Sequence, residues 1–205
     1  TGYASHRNTR RVRRLMRVVV ITPEAFVPGE AAAIERLLRS GAVWRVHLRK
    51  PGCPPEAMRS LIEAIPHDLH KCLSLHDAHA LAGVYGCGVH LNSRTPVVDA
   101  QRCGPVSASC HSLAEVAVRR DADYVFLSPV YDSISKSGYR ARFSPEVVRG
   151  LVDSRVFALG GVTPEHLPQL ASAGFGGGAM LGCVWRDSSA SGIDNIIQRI
   201  SCCNS

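Results

Sequence analysis

Eight short apolar runs recur along the chain, each followed by a helix-like or loop-like segment. They fall at residues 18–21, 43–48, 72–75, 88–91, 106–109, 124–127, 156–159 and 178–181. The runs have strand length and lack strict polar–apolar alternation, which fits strands buried on both faces. Amphipathic stretches lie between them. Residues 31–38 end near Gly41, a helix stop. Residues 55–64 begin after Pro54 and stop before Pro66. Ser112 and Glu115 form a capping box that opens a helix reaching Arg120. Thr163-Pro164 has a cap residue followed by proline at the first helical position. A helix is expected near Ser144, and residues 192–200 read as a final one. Residues 96–104 make a poor helix.

Strands alternating with helical segments predict a parallel α/β fold, and eight is the count that closes a (β/α)8 TIM barrel. The 190 residues from Met16 onward would make a compact one. A doubly wound open sheet is the runner-up. No strand is followed by G-x-G-x-x-G, and the Gly-rich run at 174–178 precedes a strand, so a dinucleotide site is not indicated.

The formal charge of +7 suggests nucleic acid until it is located. Arg7, Arg10, Arg11, Arg13, Arg14 and Arg17 lie in an acid-free stretch, and the remaining 18 basic residues nearly balance 17 acidic ones. A basic binding face built into the fold is therefore not expected, and no nucleic-acid partner is assigned. Residues 1–15 read as a disordered Arg-rich leader before one barrel domain at 16–205. A transit peptide and a nucleic-acid-touching tail are the other readings of that leader. No apolar stretch is long enough to span a membrane. The eight cysteines form no C-x-x-C and no zinc-finger spacing, which favours free thiols and a cytoplasmic setting. Cys110 beside His111 could pair as nucleophile and base, but neighbours on a strand point to opposite faces.

Polar residues collect where the strands would end. In a barrel those ends surround one mouth, where the active site sits. His47, Arg49 and Lys50 lie at the end of the second run, His76 and Asp77 at that of the third, and His90 and Asn92 at that of the fourth. Ser109 and His111 follow the fifth, and Ser128 the sixth. Gly160-Gly161 and Gly182-Cys183 follow the last two, where backbone N–H groups can approach a phosphate because side chains are absent or small. Lys136, in a Ser/Gly-rich loop after the sixth run, reads as an anion-gripping lid. The four histidines also suggest a metal centre that Asp77 could complete, although H-x-H spacing is missing.

Taken in order, these segments resemble the thiamine phosphate synthase/TenI family from Met16 to about Trp185. The markers include His47-Leu48-Arg49, His76-Asp77, Gly88-Val89-His90-Leu91, Ser109-Cys110-His111-Ser112, Ser128-Pro129-Val130-Tyr131, Lys136-Ser137-Gly138 and Leu159-Gly160-Gly161-Val162. The resemblance implies a transferase joining hydroxymethylpyrimidine diphosphate to thiazole phosphate with Mg2+ and release of diphosphate. It implies that Arg49 and Lys136 contact the diphosphate and that Asp77 ligates Mg2+. Gly160, Gly161 and Gly182 would hold the thiazole phosphate, and Ser109 would lie near the pyrimidine or the diphosphate. His47 takes a place that is often Gln in synthases and His in the TenI branch.

Several positions depart from the synthase pattern. Arg49-Lys50-Pro51 replaces R-E-K, His76 replaces the Asn before the metal Asp, and the second metal Asp after the fourth strand is missing. Arg94 stands near that place and would repel a metal. Pro129 takes the place of the histidine that tautomerases carry. Two other readings therefore stand beside the synthase: a thiazole tautomerase using His47, His76, His90 or His111 as acid or base, and a non-catalytic phosphothiazole-binding protein. The expected partners are small phosphorylated thiazole and pyrimidine precursors, and self-association into a homo-oligomer stays open.

Overall fold

Every strand of the protein hydrogen-bonds to the next in sequence, and the last returns to the first. The computed structural model describes residues 15–97, 103–132 and 141–205. Its strands are β1 (Arg17–Ile21), β2 (Arg45–Leu48), β3 (Leu73–Leu75), β4 (Gly88–Leu91), β5 (Val106–Cys110), β6 (Tyr124–Leu127), β7 (Val156–Ala158) and β8 (Gly177–Met180). All pairings are parallel and close a barrel in the order β1 to β8. This is the compact (β/α)8 barrel expected from the eight runs, with each strand within two or three residues of its predicted bounds.

Strand periodicity sorts the side chains into two cores. Val18, Val20, Val46, Leu48, Val125 and Leu127 face outward and pack under the helices. Val19, Ile21, Tyr124, Phe126, Phe157 and Ala179 face inward. The inner space is filled by pairing large with small. A side chain at Gly177 would strike the Phe157 ring, and a Cβ at Gly88 would stand 3.4 Å from the Arg45 guanidinium and 2.7 Å from Ser74 Oγ. The other end of the barrel is closed by Trp44, with the Arg17 and Arg45 guanidiniums 4.8 and 5.1 Å from its ring centroid.

The outer layer comprises α1 (Glu30–Arg39), α2 (Pro55–Glu63), α3 (His79–Tyr85), α4 (Leu113–Val118), α5 (Leu167–Ala173), α6 (Gly182–Trp185) and α7 (Ala190–Asn204). Their buried residues recur at helical spacing, as with Ile34, Leu37 and Leu38 in α1 and Ile193, Ile196 and Ile200 in α7. The α4 cap forms as read, with Ser112 accepting from the Glu115 N–H and Glu115 accepting from the His111 N–H. The residue before β1 is tied to α7: the Met16 N–H donates to Asn204 Oδ1 at 2.8 Å, and the Asn204 amide returns a bond to the Met16 carbonyl.

Two helical expectations need correction. The segment from Ser144 makes turns, not a helix, because Gly150 in the left-handed region (φ +79°) ends it after two backbone bonds to Ser144. The helix α3 was not anticipated: its cap position is Ala78, with no side chain to signal a start. No helix is described within 92–97 or 103–105, in keeping with the poor pattern there. The proposed leader, residues 1–14 of it, lies outside the described residues, as do 98–102 and 133–140.

Candidate active site at the carboxyl end of the barrel

Parallel pairing puts all eight strand ends at one mouth. Just inside it, β2, the end of β3 and β4 bring His47, His76 and His90 together. His47 Nδ1 lies 2.9 Å from His76 Nε2, and its Nε2 lies 2.6 Å from the Tyr124 hydroxyl. The His76 and His90 rings stack with centroids 4.0 Å apart. His90 is held on both nitrogens, by Ser107 Oγ at 2.8 Å and Ser109 Oγ at 2.9 Å. All three rings are buried. Burial, the neighbouring His90 and Arg45 hold His47 well below the ordinary imidazole range. Burial and the other two rings do the same to His76. His90 is pushed down to about 3, first by burial and then by electrostatic interaction with His79, Arg119 and Arg49. The three are therefore uncharged at neutral pH.

Arg49 stands at the mouth, partly exposed, with its guanidinium 2.7 Å from Glu24 Oε1 on the loop after β1. Lys50, read as a second cation at the mouth, is instead wholly buried. Its ammonium donates to the Pro23 and Ala25 carbonyls and to Glu30 Oε1 at 2.6 Å. Lys50 thus fixes the loop that carries Glu24 and is not open to a ligand.

Asp77 follows His76, and its carboxylate is engaged by Arg94, whose Nη2 donates to Oδ1 at 3.1 Å. Asn92 shapes the same loop: its amide donates to the His76 carbonyl, and its oxygen accepts from the Arg94 and Thr95 N–H groups. Mg2+ requires hard oxygen donors. Here the carboxylate is taken by a guanidinium, and the one cluster of three metal-binding side chains among the described residues is all imidazole. These residues do not fit a Mg2+ site.

Gly160 and Gly161 have φ of +94° and +64°. A side chain at Gly161 would collide with the Asp132 carbonyl and approach Tyr131 Cβ to 2.8 Å, while one at Gly160 would stand 3.0 Å from Pro129. The turn after β7 thus packs against the loop after β6, which is tied to α5 by the Tyr131 hydroxyl donating to Gln169 at 2.8 Å and to the residue before α5 by the Tyr131 ring stacked on His166 at 3.7 Å. Gly182 is exposed at the start of α6, and the half-buried Cys183 thiol donates to the Val162 carbonyl.

Ser109 is half-buried beside His90, so it joins the histidine cluster to the mouth. His111 does not join that cluster: it is exposed on the loop after β5, 3.3 Å from Ser128 Oγ. Cys110 is buried outward, its thiol pushed up to about 11 by burial, so the Cys110–His111 pair does not form. Lys136 lies outside the described residues. Tyr124, Ser107 and Arg45 were missed as part of the site. The signal was period two: Tyr124 and Phe126 share the inward face while Val125 and Leu127 point out.

Comparison with known proteins gives a consistent result. A family model described as thiamine monophosphate synthase matches residues 18–184, a span that holds all eight strands except Arg17 at the start of β1. A thiamine-phosphate synthase of Rhodospirillum centenum is 31% identical over 185 residues, covering 82% of this chain and 89% of that protein. The crystal structure of a thiamine phosphate pyrophosphorylase from Bacteroides thetaiotaomicron superposes with a TM-score of 0.79. It is 31% identical and covers 92% of this chain and 97% of that one. A pyrophosphorylase from Pyrococcus furiosus, 20% identical with a TM-score of 0.72, covers 92% of this chain and 95% of its own and shares the fold.

Proposed function

Because this chain belongs to the thiamine monophosphate synthase family, we propose that it joins a hydroxymethylpyrimidine diphosphate to a thiazole phosphate and releases diphosphate. The observation that carries the reading is the family match across the whole barrel, 18–184, which includes every strand end of the mouth. In this reaction the carbon–oxygen bond to diphosphate breaks with its electron pair leaving on the diphosphate. The thiazole nitrogen then donates its lone pair to the pyrimidine carbon. The protein contributes position and charge stabilisation.

In this reading Arg49 and Lys136 grip the diphosphate, the guanidinium of Arg49 being steered by Glu24. Gly160, Gly161, Gly182 and Cys183 cradle the thiazole phosphate through their backbone. Asn92 acts by shaping the loop after β4, Ser109 lies against the pyrimidine, and His111 borders the entrance. The reaction takes place in the cytoplasm. Among the described residues no helix is long and apolar enough to cross a membrane.

Incubating the protein with both precursors, in the presence and in the absence of Mg2+, tests this directly. Thiamine phosphate and diphosphate appearing in equal amounts are the expected result, and their absence with folded protein overturns the reading. A second reading, proton transfer on a thiazole carboxylate, is favoured by the uncharged His47–His76 pair. It predicts isomerisation of that substrate with no coupled product.

A further inference from the structure

The rings of His47, His76 and His90 cluster inside the barrel, on or directly after three neighbouring strands. One ring nitrogen from each residue lies within 4.8 Å of the others. We propose that these three imidazoles form a binding site for one borderline transition-metal ion, Zn2+ being the best match. The site is independent of the transferase reading and differs in chemistry from the oxygen-donor Mg2+ site that the family resemblance implied at Asp77.

Three observations support it. The first is the donor set. Three neutral-type nitrogens with no carboxylate suit Zn2+, Cu2+ or Ni2+ and not Mg2+ or Ca2+. The second is support behind the ligands. Metal-binding histidines usually have their outer nitrogen fixed by a hydrogen bond. Here Tyr124 holds His47 Nε2 at 2.6 Å and Ser107 holds His90 Nδ1 at 2.8 Å. That leaves His47 Nδ1 turned toward His76 Nε2. The third is rigidity. Two of the rings stand on barrel strands and the third directly after one, so the backbone cannot scatter them.

Zn–N bonds of about 2.0–2.1 Å in a tetrahedron put ligand nitrogens about 3.3 Å apart. The 2.9 Å His47–His76 contact must open slightly, the His76–His90 stack must part, and His90 Nε2 must exchange Ser109 for the ion. The proton now shared between those two rings moves to the outer nitrogen of the ring that carries it. Three protein ligands leave a coordination position for water or another ligand. Ser109 Oγ, 2.9 Å from His90 Nε2, lies between the cluster and the mouth.

The test is titration of the chelator-treated full chain with Zn2+ and with Co2+. One ion per chain is expected, with Co2+ giving d–d absorption of nitrogen and oxygen ligation and no thiolate charge-transfer band. His76→Gln and His90→Gln should weaken binding at least hundredfold. Tyr124→Phe, which keeps the core shape and removes only the hydroxyl behind His47, should weaken it about tenfold. Failure of the unaltered chain to take up an ion saturably overturns the proposal. So does a thiolate band, or undiminished uptake in Tyr124→Phe and in those histidine variants that fold. Failure of the coupling assay leaves this site standing, and failure of ion uptake leaves the transferase standing.

Discussion

Arg94 donates to the carboxylate of Asp77 at 3.1 Å, tying the loop after β4 to the end of β3. The pair places a fixed positive charge where a divalent cation would need a free carboxylate. Without substrate, the chain is expected to show no saturable Mg2+ binding by calorimetry. Arg94→Ala should release Asp77 and produce weak uptake, which Asp77→Asn added to it should remove. Saturable binding by the unaltered chain would contradict this account.

Gly161 sits in the left-handed region with Asp132 and Tyr131 against it. Gly161→Ala should cost about 1–2 kcal/mol from backbone strain alone and displace the loop after β6. The expected kinetic outcome is a KM for thiazole phosphate raised at least tenfold, with kcat changed less. Gly161→Asp should abolish binding of that substrate. Unchanged affinity in both variants would remove the phosphate-cradle assignment.

Lys50 and Glu30 are an ion pair removed from water, with side chains 0% and 2% exposed. Lys50→Met leaves Glu30 buried without its partner and should cost about 3–5 kcal/mol in urea unfolding. Adding Glu30→Leu should recover much of that loss. Because Lys50 also anchors the loop bearing Glu24, Lys50→Met should raise the KM for the diphosphate substrate through Arg49. A loss below 1 kcal/mol would show that the pair is not essential.

Acid should loosen the metal-free barrel in a defined window. His47, His76 and His90 are depressed in the folded state, His90 to about 3, whereas unfolded histidine titrates near 6.5. Below that value the unfolded chain takes up protons that the folded chain refuses. Their contribution is complete above about pH 7 and declines as pH falls toward the folded values, at about 1.4 kcal/mol per pH unit for each histidine. A folded His90→Gln variant should have a shallower slope. A slope equal to that of the unaltered chain would show that His90 is not kept neutral.

The barrel was legible because its strands are short apolar runs of the right number, and the mouth was legible because polar residues follow almost every one. What the sequence could not reveal was direction. Arg49 and Lys50 are adjacent cations, yet one faces the mouth and the other is buried on Glu30. His90 and His111 both stand at the ends of strand-like runs, yet His90 lies on the inward face of β4 while His111 falls just past β5 and is exposed. Tyr124 looked like core because its strand is apolar throughout, and only the three-dimensional placement of His47 gives its hydroxyl a partner. The α3 start carried no capping side chain, so nothing local marked it.

The bonds between Met16 and Asn204 join positions 188 residues apart, just beyond the seam where β1 pairs with β8. During synthesis the free edge of β1 has no such partner until the last strand has left the ribosome. The closing seam is the most non-local strand pairing among the described residues, and contacts of that kind slow folding. Until it forms, the valines of β1 present an open strand edge to other nascent chains. Yield in a cell should therefore depend more on chaperone capacity and expression temperature than on the stability of the finished barrel.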